Sequence, residues 1–106
     1  MKTIVVTGTT SGIGYETALG IIQRGDHLVA INRSKEKMER CIADWKEQFP
    51  HAQISAYYAD LASMREIRSV CMKISIEHPC IDVLINNVAI DSNPIGIGVR
   101  SMDIYD

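Results

Sequence analysis

The sequence lacks the features that would place it in a membrane, in an oxidising compartment or on nucleic acid. No apolar run approaches the roughly 20 residues that a membrane-spanning helix requires, and a strand-like run at 2–7 leaves no room for a signal peptide. The 3 cysteines form no C-x-x-C pair, which disfavours a disulfide framework or a metal site. A net charge of -2 disfavours a nucleic-acid partner. We therefore expect a cytoplasmic protein without metal, nucleic acid or membrane span.

The sequence does contain a regular alternation of strand-like and helical patterns over its 106 residues. Strand-like runs lie at 2–7, 27–31, 53–59 and 81–85, and helical patterns lie at 12–24, 35–49 and 64–77. This alternation predicts right-handed crossovers and a parallel sheet. We expect an α/β fold with a doubly wound, Rossmann-type sheet of strand order 3-2-1-4 and a ligand crevice between the first and fourth strands. Residues 1–90 would form this half-domain, and residues 91–106 an irregular C-terminal tail.

Local signals refine the three helical patterns. Ser34 is a candidate N-cap for the second helix, and Ser63 with Glu66 forms a capping-box pattern at the start of the third. The residues expected on the inner side of the first helix, where they would pack against the sheet, are Ile13, Ala18, Ile21 and Ile22.

The segment Thr7-Gly8-Thr9-Thr10-Ser11-Gly12-Ile13-Gly14 joins the first strand to the first helix. A strand that turns through glycines into a helix collects backbone N–H groups and the positive helix end at one point, which suits a pyrophosphate. Gly8 permits the tight turn, Gly12 lets the backbone approach the ligand, and Gly14 lets helix and strand pack closely. The residues predicted to bind the phosphates are Gly8, Thr10, Ser11, Gly12, Ile13 and Gly14.

Three further short motifs follow at the ends of the later strands. They are Asn32-Arg33, Asp60-Leu61 and Asn86-Asn87-Val88-Ala89. Together with T-G-x-x-x-G-I-G at 7–14, this set resembles the N-terminal half of the short-chain dehydrogenase/reductase family. The resemblance covers residues 1–90. It implies a dinucleotide cofactor and a parent activity of hydride transfer between that cofactor and a carbonyl or alcohol.

Asn32 and Arg33 stand where this family selects between NAD and NADP. An acidic residue at the end of the second strand would accept hydrogen bonds from the ribose 2′-hydroxyl of NAD. An amide followed by a guanidinium suits the 2′-phosphate of NADP instead, because arginine offers a charge-assisted, bidentate fork. We therefore expect NADP in preference to NAD. The alternative is that Arg33 is a solvated loop arginine.

The remaining motifs imply further contacts with the cofactor. By resemblance, the pair Asp60-Leu61 would lie at the adenine ring, with the aspartate accepting a hydrogen bond from the exocyclic amine; the alternative is a helix-capping aspartate. Asn86 would brace the sheet by bonds from its side chain to backbone, and Asn87 would face the cofactor ribose. Val88 and Ala89 complete the predicted cofactor-binding set, at positions where the family has alanine and glycine.

The sequence has no tyrosine followed four residues later by lysine, the pair that carries proton transfer in this family. We therefore interpret the chain as the NADP(H)-binding part of a short-chain oxidoreductase, truncated before the catalytic Tyr-x-x-x-Lys half, and expect no catalytic residue in it. Two alternatives stay open. One is a non-catalytic regulatory or cofactor-binding short isoform, and the other is a non-functional truncated gene product.

The fourth strand predicts a tendency to self-associate. In a sheet of this order it would form an edge, and Val83-Leu84-Ile85 contains neither proline nor lysine to block pairing with another chain. One sheet face would also be covered by the helix at 64–77 alone. We expect copies of the chain to associate through this edge.

Overall fold

The computed structural model describes residues 1–10 and 12–87 of the chain. Its elements are β1 (Thr3–Thr7), α1 (Gly12–Gln23), β2 (His27–Asn32), α2 (Lys35–Gln48), β3 (Ile54–Tyr58), α3 (Met64–Glu77) and β4 (Val83–Asn86). The bounds of α3 are those expected, and the other elements differ from expectation by one or two residues at their ends. The predictions for Ser11, Val88, Ala89 and the tail 91–106 lie outside the described residues.

The strands form one parallel, four-stranded sheet in the order β3-β2-β1-β4, which confirms the predicted topology. β1 lies between β2 and β4, with Val5 paired to Val29 on one side and to Leu84 on the other. The sequence of β1 explains this interior position. Ile4, Val5 and Val6 are β-branched and buried, as expected of a parallel strand that is covered on both faces.

One face of the sheet packs against α1 and α2, and the other packs against α3. The period-two alternation of β1 sends Ile4 and Val6 to the first face and Val5 to the second. The helix residues in the first cluster are Ala18, Ile21, Ile22, Met38, Cys41 and Trp45, and those in the second are Val70 and Ile74. Among the described elements, two helices therefore cover one face and one helix covers the other, as the sequence predicts.

Both predicted N-caps are present, and one differs in detail. The Ser34 hydroxyl accepts a hydrogen bond from the Lys37 N–H at 3.2 Å, and the Ser63 hydroxyl accepts one from the Glu66 N–H at 3.3 Å. The Glu66 carboxylate accepts from the N–H of Asp60 at 2.8 Å, whereas a capping box would use the N–H of Ser63. That N–H donates to the Asp60 carbonyl instead, so Glu66 ties the start of α3 to the end of β3.

The expectation that Ile13 lies on the inner side of α1 is wrong. Ile13 is 78% exposed, whereas Gly14, Ala18 and Ile21 are buried. These three residues recur at intervals of four and three and so define one helix face. Ile13 precedes this series by one residue, which rotates its side chain away from the sheet. Within the described residues, no helix is long and apolar enough to cross a bilayer.

Candidate functional site

The carboxyl ends of the strands bring the predicted site residues to one edge of the sheet. Gly8 follows β1, the Asn32-Arg33 pair spans the end of β2, Asp60-Leu61 follows β3, and Asn87 follows β4. In the strand order β3-β2-β1-β4, β1 is followed by α1, which packs on one face of the sheet, whereas β4 is preceded by α3, which packs on the other. A crevice therefore opens between these two strands, at the point where ligands bind in doubly wound folds.

The glycine loop has the backbone geometry that its sequence predicts. Gly8 has φ +69° and Gly12 has φ +58°, both in the left-handed region that favours glycine. A Cβ on Gly14 would lie 1.6 Å from the carbonyl oxygen of Gly8, so α1 packs directly on the loop backbone. At Gly12 an added Cβ would meet no described heavy atom within 4 Å. The loop therefore presents open backbone at the N-terminus of α1, which suits an anion.

Both polar atoms of the Asn32 amide form hydrogen bonds with this loop. Its Oδ1 accepts from the Thr9 N–H at 2.7 Å, and its Nδ2 donates to the Thr9 hydroxyl at 2.8 Å. Asn32 is 3% exposed and Thr9 is 0% exposed. The sequence suggested an outward role for this amide beside the 2′-phosphate and gave no indication of the contact with Thr9.

Arg33 has the opposite environment. It is exposed, and it makes no hydrogen bond or ion pair with another described residue. Ser34 follows as the N-cap of α2, so the guanidinium extends from the chain beside the positive end of a helix dipole. An unengaged cation in this position is suited to a phosphate group.

The ends of β1 and β4 are joined by a hydroxyl bridge. The Thr7 hydroxyl donates to Asn86 Oδ1 at 2.5 Å and accepts from the Asn87 N–H at 3.1 Å. The Asn86 side chain therefore links the two strands through the Thr7 hydroxyl, and the side-chain to backbone bonds that the resemblance implies stay a prediction. The Nδ2 of Asn87 is buried and has no hydrogen-bond partner among the described residues. A buried donor without a partner is costly, and it marks a position where a ligand oxygen would fit.

The Asp60-Leu61 pair is engaged in local structure. Asp60 Oδ1 accepts from the N–H of Ala62 at 3.0 Å, which closes a short turn before α3. Leu61 packs against the second core cluster. The N-cap of α3 is Ser63, so Asp60 stabilises the turn before the helix and does not cap it. The adenine contact stays a prediction.

A polar cluster lies away from the glycine loop, in a groove of about 740 Å³ between β3 and α3. The Tyr57 hydroxyl contacts both the Glu77 carboxylate and, at 3.0 Å, the His78 Nε2. Burial, followed by the hydrogen bond to Glu77, raises the pKa of Tyr57 to about 12. His27 lies in contact with this group, its ring centroid 5.1 Å from that of His78.

The sequence did not reveal this cluster, because its members come from three separate elements. The period-two alternation of β3 was a usable signal, because it places Ser55 and Tyr57 on the same face of the sheet. Ser55 also contacts the cluster, since the His27 Nε2 is 2.8 Å from the Ser55 hydroxyl. Among residues 1–10 and 12–87, no group of three or more His, Cys, Asp or Glu side chains could hold a metal ion.

The parallel sheet, the crevice at its carboxyl edge and the glycine loop on the N-terminus of α1 together define a Rossmann-type dinucleotide-binding fold. The short chain dehydrogenase family matches residues 2–102. The chain therefore belongs to this family of oxidoreductases, which use nicotinamide dinucleotide cofactors.

Similar proteins agree with this assignment. Human retinol dehydrogenase 13 is 37% identical over 89 residues, which are 84% of this chain and 27% of that protein. The structure of YwfH, an NADPH-dependent reductase involved in bacilysin biosynthesis, matches with a TM-score of 0.78 and 28% identity over 82% of this chain and 36% of that one. L-Sorbose reductase from Gluconobacter frateurii, complexed with NADPH and L-sorbose, matches with a TM-score of 0.74 and 27% identity over 84% of this chain and 34% of that one. The chain spans about a quarter of the length of the curated relatives it matches.

Proposed function

We propose that this chain binds NADP(H) as the cofactor-holding part of a short-chain oxidoreductase that interconverts a carbonyl and an alcohol. The environment of Arg33 carries the choice of NADP over NAD. Its guanidinium is exposed at the end of β2 and is not engaged by another described residue. A guanidinium offers the 2′-phosphate a charge-assisted, bidentate partner, whereas NAD carries an uncharged hydroxyl at that position.

Two features of the crevice favour a dinucleotide of either kind. The backbone at Gly12 is open and has a positive φ of +58°, so the first N–H groups of α1 would hold the pyrophosphate. The buried Nδ2 of Asn87, without a partner among the described residues, would donate to a ribose hydroxyl. The relatives described as NADPH-dependent or complexed with NADPH support the same cofactor class.

The residues of this chain would bind and orient the cofactor without carrying the proton transfer. NADP(H), when bound, supplies or accepts the hydride. The loop, Arg33 and Asn87 would fix its phosphates and ribose. Because the 106 residues contain no Tyr-x-x-x-Lys sequence, we assign no acid–base role to them. A cofactor-binding or regulatory module would bind the cofactor in the same way. Saturable binding of NADP would favour either of these two functions over a non-functional truncated product.

Calorimetric titration of NADP and NAD into wild type and Arg33→Ala tests the proposal. Losing one charge-assisted contact removes about 1.5–3 kcal/mol, so the affinity for NADP should fall about tenfold or more while that for NAD changes little. Arg68→Ala is the matched control, because Arg68 is exposed on α3 and makes no ion pair with another described residue. An NADP-to-NAD affinity ratio that is the same in wild type and Arg33→Ala would contradict the choice of NADP.

A further inference from the structure

The link between Thr9 and Asn32 extends the sheet beyond the end of its backbone ladder. Thr7 pairs with Ile31 at the last register position of β1 and β2. The next residue, Gly8, still donates its N–H to the Ile31 carbonyl at 3.0 Å. One residue further, the N–H of Thr9 is bound by the Asn32 side chain instead of by backbone. The glycine loop is thus held to β2 by two consecutive bonds.

The geometry points to Asn32 as a positioning residue for the cofactor: we propose that its amide clamps Thr9 and thereby holds the glycine loop in the shape that receives the pyrophosphate. This role rests on the proposed function. The amide would act through the loop and would not touch the cofactor, because both of its polar atoms are occupied by Thr9 and its side chain is buried.

The surroundings make this clamp specific to an amide. Thr9 supplies one donor, its N–H, and one acceptor, its hydroxyl oxygen, which match the Oδ1 and Nδ2 of asparagine. Met38 closes the network, since its sulfur lies 2.8 Å from Asn32 Nδ2 and 3.3 Å from the Thr9 hydroxyl. All three side chains are buried, so a polar atom that loses its partner there cannot be satisfied by bulk water.

The neighbouring glycines explain why such a clamp matters. Gly8 and Gly12 both adopt positive φ, and glycine loses more conformational freedom on ordering than any other residue. A second tie behind the loop is weak, because the Cys41 thiol is 3.9 Å from the Thr10 carbonyl. Without Asn32, the segment between these glycines would sample other conformations, and the N–H groups at the start of α1 would no longer converge on one phosphate.

The clamp also separates two parts of the cofactor. Asn32 faces inward to the loop and Arg33 is exposed. Loss of Asn32 should weaken ligands that carry a pyrophosphate and spare those that carry a 2′-phosphate alone. Loss of Arg33 should weaken every ligand with a 2′-phosphate.

The test compares NADP with adenosine 2′-monophosphate by NMR titration of the full chain, with hydrogen exchange at the Thr9 amide as a readout that needs no ligand. In Asn32→Ala we expect Thr9 to exchange about tenfold faster relative to the amides of Val5 and Val29, and the affinity for NADP to fall about tenfold with adenosine 2′-monophosphate unchanged. Thr9→Val, which removes the hydroxyl and keeps the N–H, should show a smaller change in the same direction. Met38→Leu, which removes the sulfur that accepts from Asn32 and Thr9, should also show a smaller change. Arg68→Ala, an exposed position on α3 outside the network, is the control and should leave both readouts as in wild type.

Unaltered exchange at Thr9 in Asn32→Ala, or an equal fall in affinity for both ligands, would overturn the positioning role. If Asn32→Ala does not fold, Thr9→Val decides between the same outcomes. A folded wild-type chain that binds neither NADP nor NAD would overturn the proposed function and this role with it. A wild type that binds NADP while Asn32→Ala binds it equally well would overturn this role alone.

Discussion

The carbonyl oxygen of Gly8 occupies the place where a side chain on Gly14 would begin, 1.6 Å from an ideal Cβ at residue 14. The loop that leaves β1 and the first turn of α1 are therefore in backbone-to-backbone contact. No flexible side chain stands between them that could move aside.

We expect Gly14→Ala to destabilise the fold and abolish binding of NADP and NAD. The new methyl group would overlap a backbone atom, and such overpacking costs about 1–3 kcal/mol or more. Gly20→Ala is the matched control within α1, because a Cβ there would meet no described heavy atom within 4 Å. It should stabilise the helix by about 0.5–1 kcal/mol. Urea unfolding followed by fluorescence of Trp45, the sole tryptophan, measures both; equal stabilities of the two variants would contradict the contact.

A second prediction concerns activity. The purified 106-residue chain should not oxidise NADPH in the presence of aldehydes, ketones, retinoids or steroids. General acid catalysis contributes about 10²–10⁴-fold, and the chain has no tyrosine–lysine pair to supply it. The decay of NADPH absorbance, compared with a blank that contains the inactive Gly14→Ala variant, measures this. Turnover that depends on both substrate and cofactor would refute the prediction.

A third prediction concerns the edge of the sheet. In the part of the chain that the structure describes, β4 is paired on the side of β1, and it contains no proline or lysine. We expect concentration-dependent association through this strand, measured by sedimentation velocity. Leu84→Lys should reduce the association by placing a charge on β4. Tyr58→Lys, on β3 at the opposite edge of the sheet, is the control and should leave the association unchanged. A wild-type monomer at every concentration would rule the edge out.

A fourth prediction concerns acid. Burial, followed by the nearby charge of His78, holds the pKa of His27 below its usual value of 6.5. The folded state therefore protonates His27 less readily than the unfolded state does. The contribution of neutral His27 to the free energy of unfolding is fully present above pH 6.5 and is lost as the pH falls through the lowered pKa. His27→Gln should therefore flatten the acid limb of a plot of unfolding free energy against pH. His51→Gln, at an exposed histidine, is the control and should leave the acid limb as in wild type. Acid limbs of equal slope in wild type and His27→Gln would contradict the role of His27.

The fold was predictable because its signals are local. The unbroken β-branched run of β1 and the apolar face of α2 each follow from residues within one element. The glycine spacing likewise predicted close packing of helix and strand at Gly14, and the structure adds that the atom in contact is the carbonyl oxygen of Gly8.

The details that could not be predicted depend on residues far apart in the sequence. Thr9 and Asn32 are separated by 23 positions, and no periodicity within either element indicates that an amide will turn toward a loop. Tyr57 and His78 likewise meet across two elements. The prediction for Ile13 fails for a local reason. The buried face of α1 runs through Gly14, Ala18 and Ile21, and a hydrophobic residue one position before Gly14 lies off that face.

Asn32 and Arg33 are consecutive, yet one is buried against the loop and the other is exposed to solvent. Under the roles proposed above, substitution at the exposed position should change the nucleotide preference while the residue next to it preserves the architecture of the loop. For protein engineering, we therefore expect residue 33 to be the position at which substitution redirects cofactor choice, and residue 32 to be one that must be kept.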